Sequence, residues 1–139
     1  MLHLPRIVPA LIALTALGLA GCQSQSAINR EPHTGSTTVA APAPGAIQQV
    51  VITADQRDRF YPSTITVHPG RVRITLKHTG TGAPHDWSLQ GLPAAHVPLT
   101  SAGEQNSVEF IAPAPGTYTF ICTIHVKQGQ TGTLIVLPN

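Results

Sequence analysis

Charged residues are scarce in this chain, and neither sign dominates. Only 10% of the 139 residues are Asp, Glu, Lys or Arg, and 8 basic against 6 acidic residues give a formal net charge of +2 with neutral histidines. Aromatic residues make up just 4% of the sequence, and the basic residues neither cluster nor alternate with them. This composition argues against a nucleic-acid-binding protein, which needs a basic patch.

Sulfur-containing residues are almost as rare. The chain has two cysteines, Cys22 and Cys122, and its single methionine is Met1. A chain that loses its N-terminus would therefore have no thioether to offer a metal. Its only soft anionic donor would be a cysteine thiolate.

Residues 1–21 have the features of an export signal. Arg6 supplies a positive charge, and the uncharged run of fifteen residues from 7 to 21 is shorter than the about 20 that a membrane-spanning helix needs. Residues 19–22, Leu-Ala-Gly-Cys, resemble the lipobox of bacterial lipoproteins, where the signal is cut before a cysteine that is then acylated. We expect a lipid anchor at Cys22 and the loss of Met1. The alternative is an ordinary secretory signal without lipidation.

Residues 22–47 contain the acylated cysteine and a stretch rich in Ser, Thr, Ala, Pro, Gly and Gln, so we expect a disordered linker there. From residue 48 onward, short β-branched runs alternate with turn residues, and no window has a sustained helical period. The candidate strands are residues 50–53, 63–67, 72–76, 86–89, 107–111, 117–121 and 131–137. Seven or eight short strands in residues 48–139 predict an all-β domain with a Greek-key β-sandwich fold.

One cysteine and two histidines in this domain are candidates for a metal site. Cys122 and His125 taken alone are a weak signal, because a buried cysteine is usually just a small apolar residue. Alternation along residues 116–122 brings Cys122 to the core face at a strand end, and His85 directly precedes another predicted strand. One thiolate and two imidazoles are the donor set of blue-copper electron-transfer sites.

Three segments resemble the cupredoxin family of blue copper proteins. Residues 116–125, Gly-Thr-Tyr-Thr-Phe-Ile-Cys-Thr-Ile-His, followed by Gln130, are similar to the C-terminal copper loop of plastocyanins and pseudoazurins. Residues 84–87, Pro-His-Asp-Trp, are similar to the segment that gives the first histidine ligand, and residues 60–62 and 65–70 resemble the early strands and turn of the family. The resemblance implies one copper ion, cycling between Cu(I) and Cu(II), with His85, Cys122 and His125 as its ligands.

Three positions depart from the usual pattern of the family. Gln130 stands where most members carry an axial methionine and resembles stellacyanin, in which the glutamine oxygen is the axial donor; alternatively it points away and leaves three ligands or a water. Asp86 replaces an asparagine, and the resemblance pairs it with Thr123 around the ligands. A solvated turn residue is the alternative for Asp86. Ile124 replaces a proline.

The sequence favours a monomeric copper protein that carries single electrons between redox partners outside the cytoplasm, anchored to a membrane through Cys22. A copper delivery or storage protein on the same fold is the alternative, and a metal-free sandwich that binds protein partners is a more distant one. We do not expect an enzyme, because the chain lacks the His-x-His pairs of a trinuclear copper cluster and a second cysteine in the copper loop. The remaining domain and linker histidines, His33, His68, His78 and His96, are not expected to touch the metal.

Overall fold

The computed structural model describes residues 35–139, which form ten β-strands and one short 3₁₀ helix, Val126–Gln128. The strands are β1 (Ser36–Thr38), β2 (Gln48–Ala54), β3 (Phe60–Tyr61), β4 (Thr64–Val67), β5 (Arg71–His78), β6 (His85–Leu89), β7 (His96–Thr100), β8 (Gln105–Ile111), β9 (Gly116–Ile121) and β10 (Thr131–Val136). The predicted signal at residues 1–21, the predicted lipidation site Cys22 and the first part of the predicted linker lie outside the described residues. Within residues 35–139, no helix is both long and apolar enough to cross a bilayer.

The strands are arranged in two sheets. One sheet has six strands in the order β1-β4-β10-β9-β6-β7, and the other has four in the order β3-β2-β5-β8. The pairs β1/β4, β4/β10 and β2/β5 are parallel, and the remaining pairs are antiparallel. The prediction of an all-β Greek-key sandwich is confirmed.

Alternating side chains build the core. Along β5, Val72, Ile74 and Leu76 are buried, while the residues between them face outward. The same period places apolar side chains from both sheets in one cluster, which includes Val50, Ile52, Phe60, Ile65, Trp87, Phe120 and Leu134. Full burial of each large apolar side chain contributes about 1.5–3 kcal/mol. Trp87, expected in the core, is fully buried.

The prediction of a disordered linker through residue 47 is wrong for residues 36–38, which form β1. This strand pairs in parallel with β4, and the backbone of Gly35 accepts hydrogen bonds from the amides of Ser63 and Thr64. Its side chains are mostly exposed, so backbone pairing and not apolar burial holds it. A strand of this kind leaves no alternating pattern in the sequence. The sequence pattern predicts no strand at β7, and it indicates β3 only through the resemblance of residues 60–62 to the early strands of the family.

Four strand ends meet at one end of the sandwich. His85 begins β6 and pairs with Thr100 at the end of β7, and β6 runs antiparallel to β9, which Cys122 directly follows. The ring of His78, the last residue of β5, also reaches His85. The topology therefore brings the predicted site residues together at this end.

Candidate metal centre

Four buried side chains point their donor atoms at one another. Nδ1 of His85 lies 3.1 Å from Nδ1 of His125 and 2.9 Å from Oε1 of Gln130. Nδ1 of His125 lies 3.2 Å from the same oxygen and 3.5 Å from Sγ of Cys122. His85, Cys122 and Gln130 are fully buried, and His125 is 9% exposed. In the described part of the chain, His85, Cys122 and His125 are the one group of His, Cys, Asp or Glu residues close enough to hold a metal ion.

The loop that carries three of these residues is closed by its own backbone. The amide of Cys122 donates to the carbonyl of Gln130 at 3.0 Å, and the amide of Gln130 donates to the carbonyl of His125 at 3.2 Å. The 3₁₀ helix fills the space between His125 and Gln130, and Gly129 ends it in the left-handed region with φ 85°. Hydrogen bonds within the loop therefore hold the backbone of the three residues in place.

Asp86 connects β6 to this loop. One carboxylate oxygen accepts the backbone N–H of Thr123 at 2.7 Å, and the other accepts the Thr123 hydroxyl at 2.5 Å. Asp86 is only 3% exposed, so it is not the solvated turn residue considered above. Hydrogen bonds to a carboxylate are among the stronger ones in proteins. These two hold Thr123, which follows Cys122, against Asp86, which follows His85.

Burial governs the protonation of the site. It raises the pKa of the Cys122 thiol from 9.0 to about 11; the nearby Asp86 carboxylate also raises it, and the backbone amides of Asp86 and Ile124 oppose this. Burial also lowers the pKa of His85; the hydrogen bond that the protonated ring donates to the Gln130 oxygen opposes that shift, and neighbouring His125 and His78 reinforce it. Without metal at neutral pH, Cys122 is therefore a thiol and His85 is a neutral imidazole.

Two residues beside the site had no signal in the sequence. Asp58 and Arg59 lie in the connection between β2 and β3, and a carboxylate oxygen of Asp58 is 3.6 Å from Nδ1 of His125. Arg59 is 1% exposed, and its guanidinium donates to the carbonyl of Asp58 at 2.8 Å and to that of Gln128 at 3.2 Å. A buried cation thus joins the four-stranded sheet to the 3₁₀ helix of the ligand loop.

The remaining histidines have different places. His68 is half-buried beside a turn and His96 is exposed, while His33 lies outside the described residues. His78, expected beside a loop without a partner, is instead 2% exposed with its ring centroid 4.7 Å from that of His85. The alternation along β5 contained a signal for this position, because His78 follows the buried Val72, Ile74 and Leu76 at the same spacing.

The donor set suits copper. Two imidazole nitrogens, an amide oxygen and a cysteine sulfur face one another, and each of them can offer a lone pair to a cation. A thiolate, two imidazoles and a weak oxygen donor are the combination found in blue-copper sites. Their burial keeps water away from the centre.

Comparison with known proteins agrees with this geometry. The model of the cupredoxin-like domain family matches residues 11–136. Auracyanin-B from Chloroflexus aurantiacus is 52% identical over 42 residues, which are 29% of this chain and only 18% of auracyanin-B. Plastocyanin from Dryopteris crassirhizoma is 35% identical over 89 residues, which are 56% of this chain and 87% of the plastocyanin.

Solved structures have the same fold. A structure of auracyanin B aligns with a TM-score of 0.57 at 27% identity, covering 75% of this chain and 97% of its own. Auracyanin A from Chloroflexus aurantiacus, described as a "blue" copper protein, aligns with a TM-score of 0.59 at 24% identity, covering 66% of this chain and 99% of its own.

The chain belongs to the cupredoxin family. Family and site together make it a blue copper electron-transfer protein with one copper ion as its cofactor. The particular residues that hold the ion remain predictions; the structure brings His85, Cys122, His125 and Gln130 together at one end of the sandwich.

Proposed function

We propose that this cupredoxin is a mononuclear type 1 copper protein that carries single electrons between redox partners outside the cytoplasm, held at a membrane by a lipid on Cys22. His85, Cys122 and His125 would hold the ion, with the oxygen of Gln130 as a fourth and weaker donor. The observation that carries the copper site is the convergence of these four donor atoms, each of which lies 2.9–3.5 Å from at least one of the others. Bound copper would supply the one-electron couple.

The protein's contribution is a site that changes little between oxidation states. The ligand loop is closed by its own hydrogen bonds, and Asp86 and Arg59 attach it to both sheets. Donors that are already in place need little rearrangement when the charge of the centre changes, which favours fast transfer of an electron. The same rigidity favours a carrier over a delivery protein, which has to open its site to release the metal.

Adding Cu(II) to the purified domain and recording its visible spectrum tests the copper site. We expect an intense thiolate-to-copper band that disappears on reduction and returns on reoxidation through many cycles. No band would contradict the type 1 site. A band that vanishes when a copper chelator or a copper-accepting protein is added at stoichiometric concentration would favour the delivery function instead.

The lipid anchor is proposed from the sequence alone. Because β1 begins at Ser36, 13 residues lie between Cys22 and the folded domain, which limits their separation to about 45 Å. Three acyl chains, as this type of lipoprotein carries, exceed the two membrane signals that stable anchoring needs. We expect the full chain to enter a detergent-rich phase and Cys22→Ala to remain in the aqueous phase. Equal partition of the two would contradict the anchor.

A further inference from the structure

His78 is a buried polar residue to which the proposed function gives no role. It ends β5 and is 2% exposed, on the core face of the strand. Its ring meets the ring of His85 edge-on, with centroids 4.7 Å apart and an interplanar angle of 67°. It is not part of the group of residues that can hold the metal. The imidazole of His78 therefore packs against the imidazole of His85, the proposed ligand.

The surroundings of His78 determine which of its nitrogens carries the proton. Its Nδ1 lies 3.3 Å from the backbone carbonyl oxygen of Thr100. A carbonyl oxygen only accepts hydrogen bonds, so Nδ1 carries the hydrogen, and Nε2 of the neutral ring is left with a lone pair. The hydroxyl of Thr100 in turn accepts a hydrogen bond from Asn106 at 3.2 Å, which fixes this part of β7. His78 thus presents an acceptor inside the core.

His85 has the opposite requirement. Its Nδ1 faces the other donor atoms, and when this nitrogen gives its lone pair to copper, the ring hydrogen has to lie on Nε2. The Nε2 atoms of both His78 and His85 are buried, and neither has a hydrogen-bond partner among the described residues. When copper is bound, Nε2 of His85 is a donor without an acceptor, and Nε2 of His78 is an acceptor without a donor, although the two rings are in contact. Leaving both unpaired would cost free energy.

We propose that His78 is a positioning residue that accepts the Nε2–H of His85, directly or through one buried water, when His85 binds copper through Nδ1. The backbone of Thr100 fixes the tautomer of His78, and His78 fixes the tautomer and ring angle of His85. Metal-bound histidines generally donate their other ring N–H to an acceptor, and loss of such an acceptor typically weakens metal binding by about 10- to 100-fold. This inference rests on the proposed role of His85 as a ligand.

Long-range ¹H–¹⁵N correlation spectra of the reduced copper protein, labelled at histidine, test the proposal directly. We expect His78 to be protonated at Nδ1 and His85 at Nε2, with the His85 Nε2–H exchanging slowly with solvent. A proton on Nε2 of His78 would overturn the proposal. The visible band of the oxidised sample is recorded first, because its absence would refute the copper site itself, whereas a normal band with the wrong tautomer refutes only the role of His78.

Variants provide a second test. His78→Phe keeps a ring but removes the acceptor, so we expect faster exchange of the His85 Nε2–H and a copper affinity lower by about 10- to 100-fold. His78→Gln retains a carbonyl acceptor and should recover most of both losses, and the exposed His96→Phe is the matched control. Wild-type exchange and affinity in His78→Phe would contradict the proposal. If that variant does not fold, the tautomers of the wild-type protein decide.

Discussion

The side-chain oxygen of Gln130 lies 2.9 Å from Nδ1 of His85, although 45 residues separate the two in the sequence. Gln130 is also held by its backbone, whose carbonyl accepts the amide of Cys122. An amide oxygen therefore occupies a fixed place where a cupredoxin usually carries a softer thioether. This replacement bears on the potential at which the copper ion would work.

Loss of the Cys122 thiolate should abolish the copper site. Cys122→Ser replaces the soft anionic donor with a hydroxyl, and no other described residue can supply a thiolate, so we expect loss of bound copper and of the visible band. Metal analysis after gel filtration measures the copper content. Cys22→Ser, which changes the other cysteine, should retain one copper per chain. Unchanged copper in Cys122→Ser would refute the site assignment.

Copper uptake should release a proton from Cys122. The pKa of this thiol in the metal-free protein is about 11, so at pH 7 binding of the thiolate displaces about one proton per copper ion. His85 adds little, because its pKa is lowered and its ring is already neutral. Calorimetric titrations in buffers of different ionisation enthalpy measure the number of protons released per copper ion. It should fall towards zero above pH 11, and a constant value across this range would contradict the prediction.

The same pKa predicts the alkaline stability of the metal-free domain. Because folding raises the pKa of Cys122 above its unfolded value of 9.0, the thiol's contribution to stability is complete below pH 9 and is lost as the pH rises through about 11. Denaturant titrations of the metal-free wild type and of Cys122→Ala isolate this effect from other groups that ionise there. A difference in unfolding free energy that does not change with pH would be the contrary result.

The fold was predictable where burial follows the strand period. The alternation of Val72, Ile74 and Leu76 identified β5, and similar runs identified six other strands. In β7, only Val97 and Thr100 are buried and Pro98 interrupts the run, so the pattern is lost. The strand β1 has no buried side chain at all and depends on pairing with β4.

The site was predictable only in part, for a related reason. The ligand candidates lie in segments with a family resemblance, but the surrounding contacts join residues with no shared motif. Arg59 and Gln128 are 69 residues apart, and only the packing of the two sheets brings the guanidinium to that carbonyl. His78 could be recognised as buried from its strand period, whereas its contact with His85 depends on the meeting of β5 and β6 at the same end of the sandwich.

Electron transfer should depend on the apolar surface next to His125. Ile124 is 48% exposed and Val126 is 40% exposed, so uncharged side chains flank the ligand that lies closest to solvent. A small apolar surface suits weak and brief docking of a redox partner. We expect Ile124→Asp to slow the second-order rate of electron transfer by about tenfold or more, since a charge at the centre of such an interface opposes docking.

A matched variant separates docking from general effects of charge. Ile111→Asp introduces the same change at another exposed isoleucine, which pairs with Arg71 at the opposite end of β5 from His78. It should leave the rate close to that of the wild type. Stopped-flow measurements with one chosen partner compare both variants. Equal rates for Ile124→Asp and the wild type would place electron entry elsewhere.

Gly132 should be essential for packing below the ligand loop. A Cβ at this position would overlap the ring of Phe120 and lie 2.6 Å from the carbonyl oxygen of Ser63. Phe120 is fully buried against Phe60 and Trp87, so its ring has no free space to enter. Gly132→Ala should destabilise the domain by about 1–3 kcal/mol. Denaturant unfolding measures this, with the exposed Thr117→Ala as a control; similar stability of both variants would refute the packing argument.

The reduction potential should be lower than that of cupredoxins with an axial methionine. Cu(I) prefers soft ligands, whereas an amide oxygen is hard and interacts relatively better with Cu(II), so Gln130 favours the oxidised state. The carboxylate of Asp86 acts in the same direction, because negative charge favours the higher charge of the metal. Its effect acts through space, and its two hydrogen bonds to Thr123 already disperse part of the charge. The axial donor acts on the metal directly.

We therefore expect Gln130→Met to raise the potential more than Asp86→Asn does. Protein-film voltammetry of both variants and the wild type measures the order. A potential that stays the same or falls in Gln130→Met would show that Gln130 is not the axial ligand, and a larger rise in Asp86→Asn would mean that the charge beside Cys122 outweighs the axial bond.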